Sequence, residues 1–168
     1  IGSPVPDWTG GMNLNLQYKN FSLNTYFYAS VGAEIFNQSK WFTDFFGTFE
    51  GSAKGINALQ SWTPGLGDNA VAPIWESATN LSTSGAANSW YVEDGDFLRL
   101  QSLSLSYDFD GAILDQLGFS DLSIGISGNN LFTITNYSGL DPMVGGADTN
   151  FGVDVGNYPV TPSYLLNI

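Results

Sequence analysis

Residues 121–130, DLSIGISGNN, alternate with a period of two. Leu122, Ile124 and Ile126 fall on one face, and Ser123, Gly125 and Ser127 on the other. The same period runs through 10–32. There Met12, Leu14, Leu16 and Tyr18 alternate with Asn13, Asn15, Gln17 and Lys19, and Phe21, Leu23, Thr25 and Phe27 with Ser22, Asn24, Tyr26 and Tyr28. The tight Lys19–Asn20 link between these runs predicts an antiparallel hairpin. Further strands are expected near 97–109, 121–133 and 161–168, after hairpin strands near 12–19 and 21–33. The connections are unequal. The links at 19–20 and 111–120 are short, whereas 34–96 and 134–160 are long and rich in Gly, Asn, Ser, Asp and Trp. With strands alternating in direction, both short links lie at one end of an all-β sheet and both long ones at the other. A connection of some 60 residues far exceeds the usual ~4–6 and calls for a functional reason.

Charge sharpens this pattern. The chain has 4 basic and 16 acidic residues, a net charge of −12, and neither Cys nor His. That composition excludes disulfides, thiolate and imidazole metal sites and most nucleophile–base pairs. Its acidity opposes binding to nucleic acid. Twelve acids lie in the first ten residues or the two long connections; Asp108, Asp110, Asp115 and Asp121 bracket the second short link. The strand middles are nearly free of charge. Aromatic residues Tyr18, Phe21, Tyr107, Phe109 and Phe119 gather where strands meet the short links. No run of apolar residues is long enough for a transmembrane helix. The start of the chain shows no export signal, and the missing initiator Met leads us to expect a segment of a longer protein.

These features fit a transmembrane β-barrel, with an apolar lipid face, a polar lumen, aromatic girdles, short periplasmic turns and long extracellular loops (1–10, 34–96 and 134–160). An uncharged polar face needs no charge if it lines an enclosed aqueous lumen, while lipid cannot solvate charge on the other. One strand breaks phase. Clean alternation in 103–109 rises only about 16 Å against an apolar band of about 25 Å. Above it Leu98 and Leu100 hold the opposite phase, so a bulge is expected near Gln101–Ser102, turning both leucines outward and Arg99 inward.

Several stretches resemble the C-terminal end of SusC/RagA-type TonB-dependent outer-membrane transporters of Bacteroidetes: IGSPVPDWTGGMNLNLQYKNFSL (1–23), SWTP (61–64), VEDGDFLRLQSLSLSYDF (92–109) and GNNLFTITNYSGLDP (128–142). They cover nearly the whole chain in the family's order. The resemblance implies the last strands of a plugged barrel of about 22 strands. It further implies nutrient import of an oligosaccharide or peptide beneath a SusD-like surface lipoprotein, with energy delivered by TonB through a plug outside this chain. The remainder of the barrel and the outer-membrane lipid would be its other partners. Met143 stands where the family commonly has Glu, and the final strand lacks the family's closing aromatic residue.

The residues themselves point to no enzyme and no cofactor. Trp41, Trp62, Trp75 and Trp90 in the long loops are candidates to contact substrate or lid, against a plainer role of cementing the loops together. Glu93, Asp94 and Asp96, and Asp148 with Asp154, are weak cation candidates, since a full calcium loop needs a later Glu; no metal site is expected. Paired loop acids as a glycosidase couple lack an evident pocket. Asn24, Tyr26 and Tyr28 are expected to line the lumen or touch the plug. Two other readings compete: a secreted β-sandwich for glycan binding or adhesion, and a transporter fragment held as a client by outer-membrane assembly machinery.

Overall fold

The computed structural model describes residues 1–44, 53–74, 87–111, 114–115, 118–144 and 150–168. The chain folds into two compact units. One, formed by Pro6–Gly32, Gly95–Asn136 and Pro159–Ile168, is a single five-stranded sheet. Its strands are β1 (Trp8–Tyr18), β2 (Phe21–Val31), β5 (Phe97–Asp108), β6 (Ser123–Thr135) and β8 (Ser163–Asn167), in spatial order β1-β2-β5-β6-β8. Every neighbouring pair is antiparallel.

The β1–β2 hairpin pairs Tyr18 with Phe21, leaving a two-residue turn in which Lys19 takes a left-handed backbone, φ 51°. Asn20 ties that turn to the end of β5, donating its amide to the Asp108 carbonyl (2.8 Å) and the Asp110 carboxylate (2.6 Å). Aromatic rings gather at this end, Phe21 on Tyr107 at 4.7 Å and Tyr107 on Phe109 at 5.1 Å.

β1 begins four residues before the expected position, so Trp8–Gly10 belong to the ladder and not to a leading loop. Two successive glycines weaken strand propensity and interrupt the alternation. The unbroken pairing of Trp8 to Val31 and Gly10 to Ala29 nevertheless carries the strand through.

The expected bulge is present. On β2, consecutive residues Tyr26 and Phe27 pair with Ser102 and Leu100, so Gln101 is the extra residue of β5. β6 adds one more residue at the same height, Leu100 facing Phe132 and Ser102 facing Asn129, with Asn130 left-handed at φ 52°. Each bulge restores the phase for the upper half of its strand. Leu98 and Leu100 thereby join the face of Leu103 and Leu105, while Arg99 faces the side of Tyr28 and Thr133.

The other unit, Ile1–Val5, Ala33–Asp94 and Tyr137–Tyr158, is built from what the sequence pattern reads as bare loops. It carries its own small sheet in the order β4-β3-β7, with β3 (Glu34–Asn37) antiparallel to β4 (Val92–Asp94) and parallel to β7 (Val153–Asp154). A short helix α1 (Ser39–Asp44) and turns of 3₁₀ helix at Ile56–Gln60, Gly67–Asn69 and Ser89–Tyr91 complete it. The described parts of the long connections 34–96 and 134–160 thus carry secondary structure. Strands of two to four residues are too short to show a period, which is why alternation does not reveal them.

Candidate functional site

Two arrangements carry functional chemistry: the two faces of the five-stranded sheet, and the side-chain network of the loop unit. On one sheet face stand Met12, Leu14, Leu16, Leu98, Leu105, Ile124, Ile126, Phe132, Ile134, Tyr164 and Leu166, all exposed. Leu14 is 41% exposed and Ile126 54%. No charged residue interrupts this face within the strands. In water, an exposed apolar surface of this extent marks contact with protein or membrane. A β-sandwich would cover it with a second sheet, and among the described residues the unit contains one.

The reverse face is polar and changes character along its height. Near the short turns it presents small groups, Ser22, Ser104, Ser106, Gly125 and Ser127. Above the bulge it presents Tyr26, Tyr28, Phe97, Arg99 and Thr133. Arg99 is only 2% exposed; its Nε donates to the Thr133 hydroxyl at 2.9 Å, and its guanidinium lies 5.5 Å from the Phe97 ring. Sending Arg99 to this side gives it a hydroxyl and an aromatic face as partners.

Two carboxylates of the loop unit gather several partners each. Glu93 on β4 accepts from the Ser138 amide (2.9 Å), the Ser138 hydroxyl (2.8 Å) and the Asn37 amide group (3.1 Å), and pairs with Lys40 at 3.0 Å. Burial pushes the Glu93 carboxyl up, but the Ser138 and Lys40 contacts outweigh it and hold the group below the ordinary carboxylate value. Asp154 on β7 accepts the Tyr137 hydroxyl at 2.7 Å through one oxygen. Its other oxygen accepts the amides of Gly156 and Asn157. Burial, then the Asp154 hydrogen bond and charge, push the Tyr137 phenol far above its ordinary value. Burial and the nearby Asp44 charge raise Tyr91 as well.

These partners redefine the candidates drawn from sequence. Glu93 and Asp154 serve as hydrogen-bond hubs, and Asp96 accepts the Gly32 amide at 2.6 Å. Asp148 lies outside the described residues. Of the tryptophans, Trp90 is covered by Lys40, whose ammonium sits 4.5 Å from the ring centre. Trp41 is half-buried on α1, Trp62 is exposed beside the Ser61–Ala72 bridge, and Trp75 lies outside the described residues. The Trp90 contact is of the cementing kind. Sequence reasoning missed the Lys40–Glu93–Ser138 and Tyr137–Asp154 links because their members stand far apart, 45 residues in the case of Glu93 and Ser138.

No family model matches the chain. Individual relatives do. TonB-dependent receptor P3 of Formosa agariphila is 34% identical over 175 aligned residues, covering all of this chain and 16% of that protein. TonB-dependent receptor P26 of the same organism is 29% identical over 155 residues, covering 90% of this chain and 14% of its own length. Among solved structures, the RagAB peptide importer in its open-open state superposes with a TM-score of 0.78 at 28% identity. A second structure, of the RagAB peptide transporter, gives 0.80 at 26%. Each covers 98% of this chain and 17% of the matched one. The chain spans about one-sixth of the length of these relatives. Two-faced sheet, bulged strand and relatives agree: this chain belongs to the SusC/RagA-type TonB-dependent receptors, of which it spans a segment.

Proposed function

We propose that this segment supplies barrel wall and outer loops to a TonB-dependent importer of the bacterial outer membrane. The observation that carries the reading is the exposed, charge-free apolar face backed by a polar one, on which Arg99 is buried against Thr133 and Asp108 stands at the short-turn end. That pairing suits a wall between lipid and a wet lumen. Its strands would be among the last of a barrel of about 22, with the short turns periplasmic and the loop unit extracellular. Both open edges of the sheet, β1 and β8, would pair with the rest of the barrel, since unpaired backbone groups cost several kcal/mol each in lipid.

The cargo would be an oligosaccharide or a peptide. The similar RagAB complex is a peptide importer, and by that likeness this receptor would work with a SusD-like lipoprotein as lid. TonB would act through a plug supplied elsewhere in the receptor. The chain's part is passive: wall, mouth and seam, with no bond chemistry.

The test uses single cysteines in the full-length receptor, each carrying an environment-sensitive fluorophore, in liposomes of brominated lipid. Labels at Leu105→Cys and Ile124→Cys should be quenched, and those at Ser104→Cys and Ser127→Cys should not. The reverse pattern, or no quenching at any position, would remove the membrane reading.

A further inference from the structure

The polar face of the sheet carries a cross-strand arrangement of aromatic and amide side chains. Tyr26 on β2 stands directly opposite Asn13 on β1, and its ring lies across Gly11 of that strand. A Cβ at Gly11 would come within 2.8 Å of a Tyr26 ring carbon, so any side chain there must displace the ring. Glycine weakens a strand interior and is used where something approaches the backbone closely; here that something is the phenol. Two residues along, Tyr28 extends the aromatic surface and touches Phe97 at 5.8 Å between ring centres. Among the described residues, no hydrogen bond engages the hydroxyl of Tyr26 or Tyr28 or the side-chain amide of Asn13. The nearest cation, Arg99, is buried and turned to Thr133.

We propose that Gly11, Asn13, Tyr26 and Tyr28 form a ligand subsite on the inner wall, and that the ligand is a neutral sugar ring. The proposal rests on the import reading, which makes this face luminal. A ring held down on a glycine is a preorganised flat platform, and tyrosine offers rigid amphipathic area at low entropic cost. The apolar face of a pyranose would lie on it. Asn13, with one acceptor and two donor positions, and the phenols would take the sugar's hydroxyls. An ionised ligand finds no exposed counter-charge among these residues. A purely apolar ligand would strand the amide and phenols without water.

The experiment dialyses purified full-length receptor to equilibrium against three pools: neutral hexasaccharides, uronate-containing hexasaccharides and tryptic casein peptides. Mass spectrometry measures what is retained. A neutral hexasaccharide should be retained by the wild type and by Tyr26→Phe. Its affinity should fall at least tenfold in Tyr26→Ala and in Gly11→Val, the second leaving the phenol in the protein but off its seat. Retention unaffected by both variants would overturn the subsite. So would retention restricted to the peptide or uronate pools, or none at all. A thiol scan separates this failure from that of the import reading. Labelling of Asn13→Cys, but not Met12→Cys, by a charged maleimide keeps the face luminal whatever dialysis shows, whereas the opposite labelling removes both readings.

Discussion

The sheet and the loop unit contain the same kinds of residue and are held together in opposite ways. In the sheet, order comes from the backbone ladder. Asn13 and Tyr26, Asn24 and Asn15, and the serines of β5 stand in register while their side chains are left for whatever adjoins them. In the loop unit the ladder is short, and order comes from buried polar side chains. Glu93 alone joins β4 to Asn37, Lys40 and Ser138. A ladder depends on the medium each face meets, because every side chain's position is fixed by phase. A network depends on a few atoms and little on phase. The two regions should therefore fail through different changes.

The largest difference should come from deleting Gln101. Without the bulge residue, the upper half of β5 slips by one. Arg99 then turns to the leucine side, and Leu98 and Leu100 to the polar side. Arginine on a lipid face costs about 2–4 kcal/mol at mid-bilayer. Loss of the buried Leu100 contact adds about 2–5 kcal/mol. The full-length receptor should then fail to reach its heat-modifiable folded form, whereas deleting one residue from the Thr63–Gly67 turn of the loop unit should leave assembly intact. Normal assembly of the Gln101 deletion would show that phase does not govern this wall.

Glu93→Ala attacks the other region. It leaves Lys40, whose side chain is only 15% exposed, without its carboxylate, and takes an acceptor from the Asn37 and Ser138 donors. Removing one member of such a pair costs about 3–5 kcal/mol. Hydrogen exchange should rise sharply at β3, β4 and Ser138 and stay unchanged in β2, β5 and β6. Equal loss of protection in both regions would mean that the two are one cooperative body.

How much of this was legible beforehand follows from the same contrast. The long strands, their faces and the bulge could be read because period two is a local property, and the phase break at Leu98–Arg99–Leu100 is visible in a dozen residues. The start of β1 was misplaced because Gly10 and Gly11 carry no pattern. The small sheet β4-β3-β7 was illegible, since Phe36 meets Val92 and Val153 from distant parts of the chain. Tyr26 was read correctly as a polar-face residue, but its seat on Gly11 depends on a cross-strand diagonal that register alone defines. By spacing, Glu93 and Asp154 are no more than weak cation candidates, and the structure makes them hydrogen-bond hubs, because burial and partners are tertiary facts.

Tyr137→Phe is a milder cut in the network. It removes the donor to one oxygen of the buried Asp154 and leaves the amides of Gly156 and Asn157 on the other. Hydrogen bonds to charged groups contribute about 1.5–3 kcal/mol. Titration gives this variant a second signature. The raised pKa values of Tyr137 and Tyr91 mean that the unfolded chain loses these protons first as pH climbs above 10, so the native unit binds more protons and loses stability there. Glu93 acts with the other sign. Its lowered pKa stabilises above about 4.5, and that contribution disappears as pH falls through the folded value. Exchange protection of the loop unit should therefore form a plateau with an alkaline edge that Tyr137→Phe weakens and an acid edge that it leaves alone. An unchanged alkaline edge would transfer the effect to Tyr91.

The smallest expected effect lies in the hairpin turn. Lys19 holds φ 51°, a conformation that costs a residue with a Cβ about 1–2 kcal/mol, while glycine adopts it freely. Two terms oppose the gain from Lys19→Gly. Glycine adds about 0.4–1 kcal/mol of freedom to the unfolded chain. The ammonium, 5.6 Å from the exposed Tyr18 ring, also gives up a contact of about 0.5–1 kcal/mol. The net change should stay within about 1 kcal/mol of zero, since the first effect and the other two nearly cancel. A shift of the urea midpoint toward lower stability by clearly more than that would assign Lys19 an anchoring role at the membrane boundary. The turn would then owe its sequence to what lies outside the sheet, as the sheet's faces do, and not to backbone geometry.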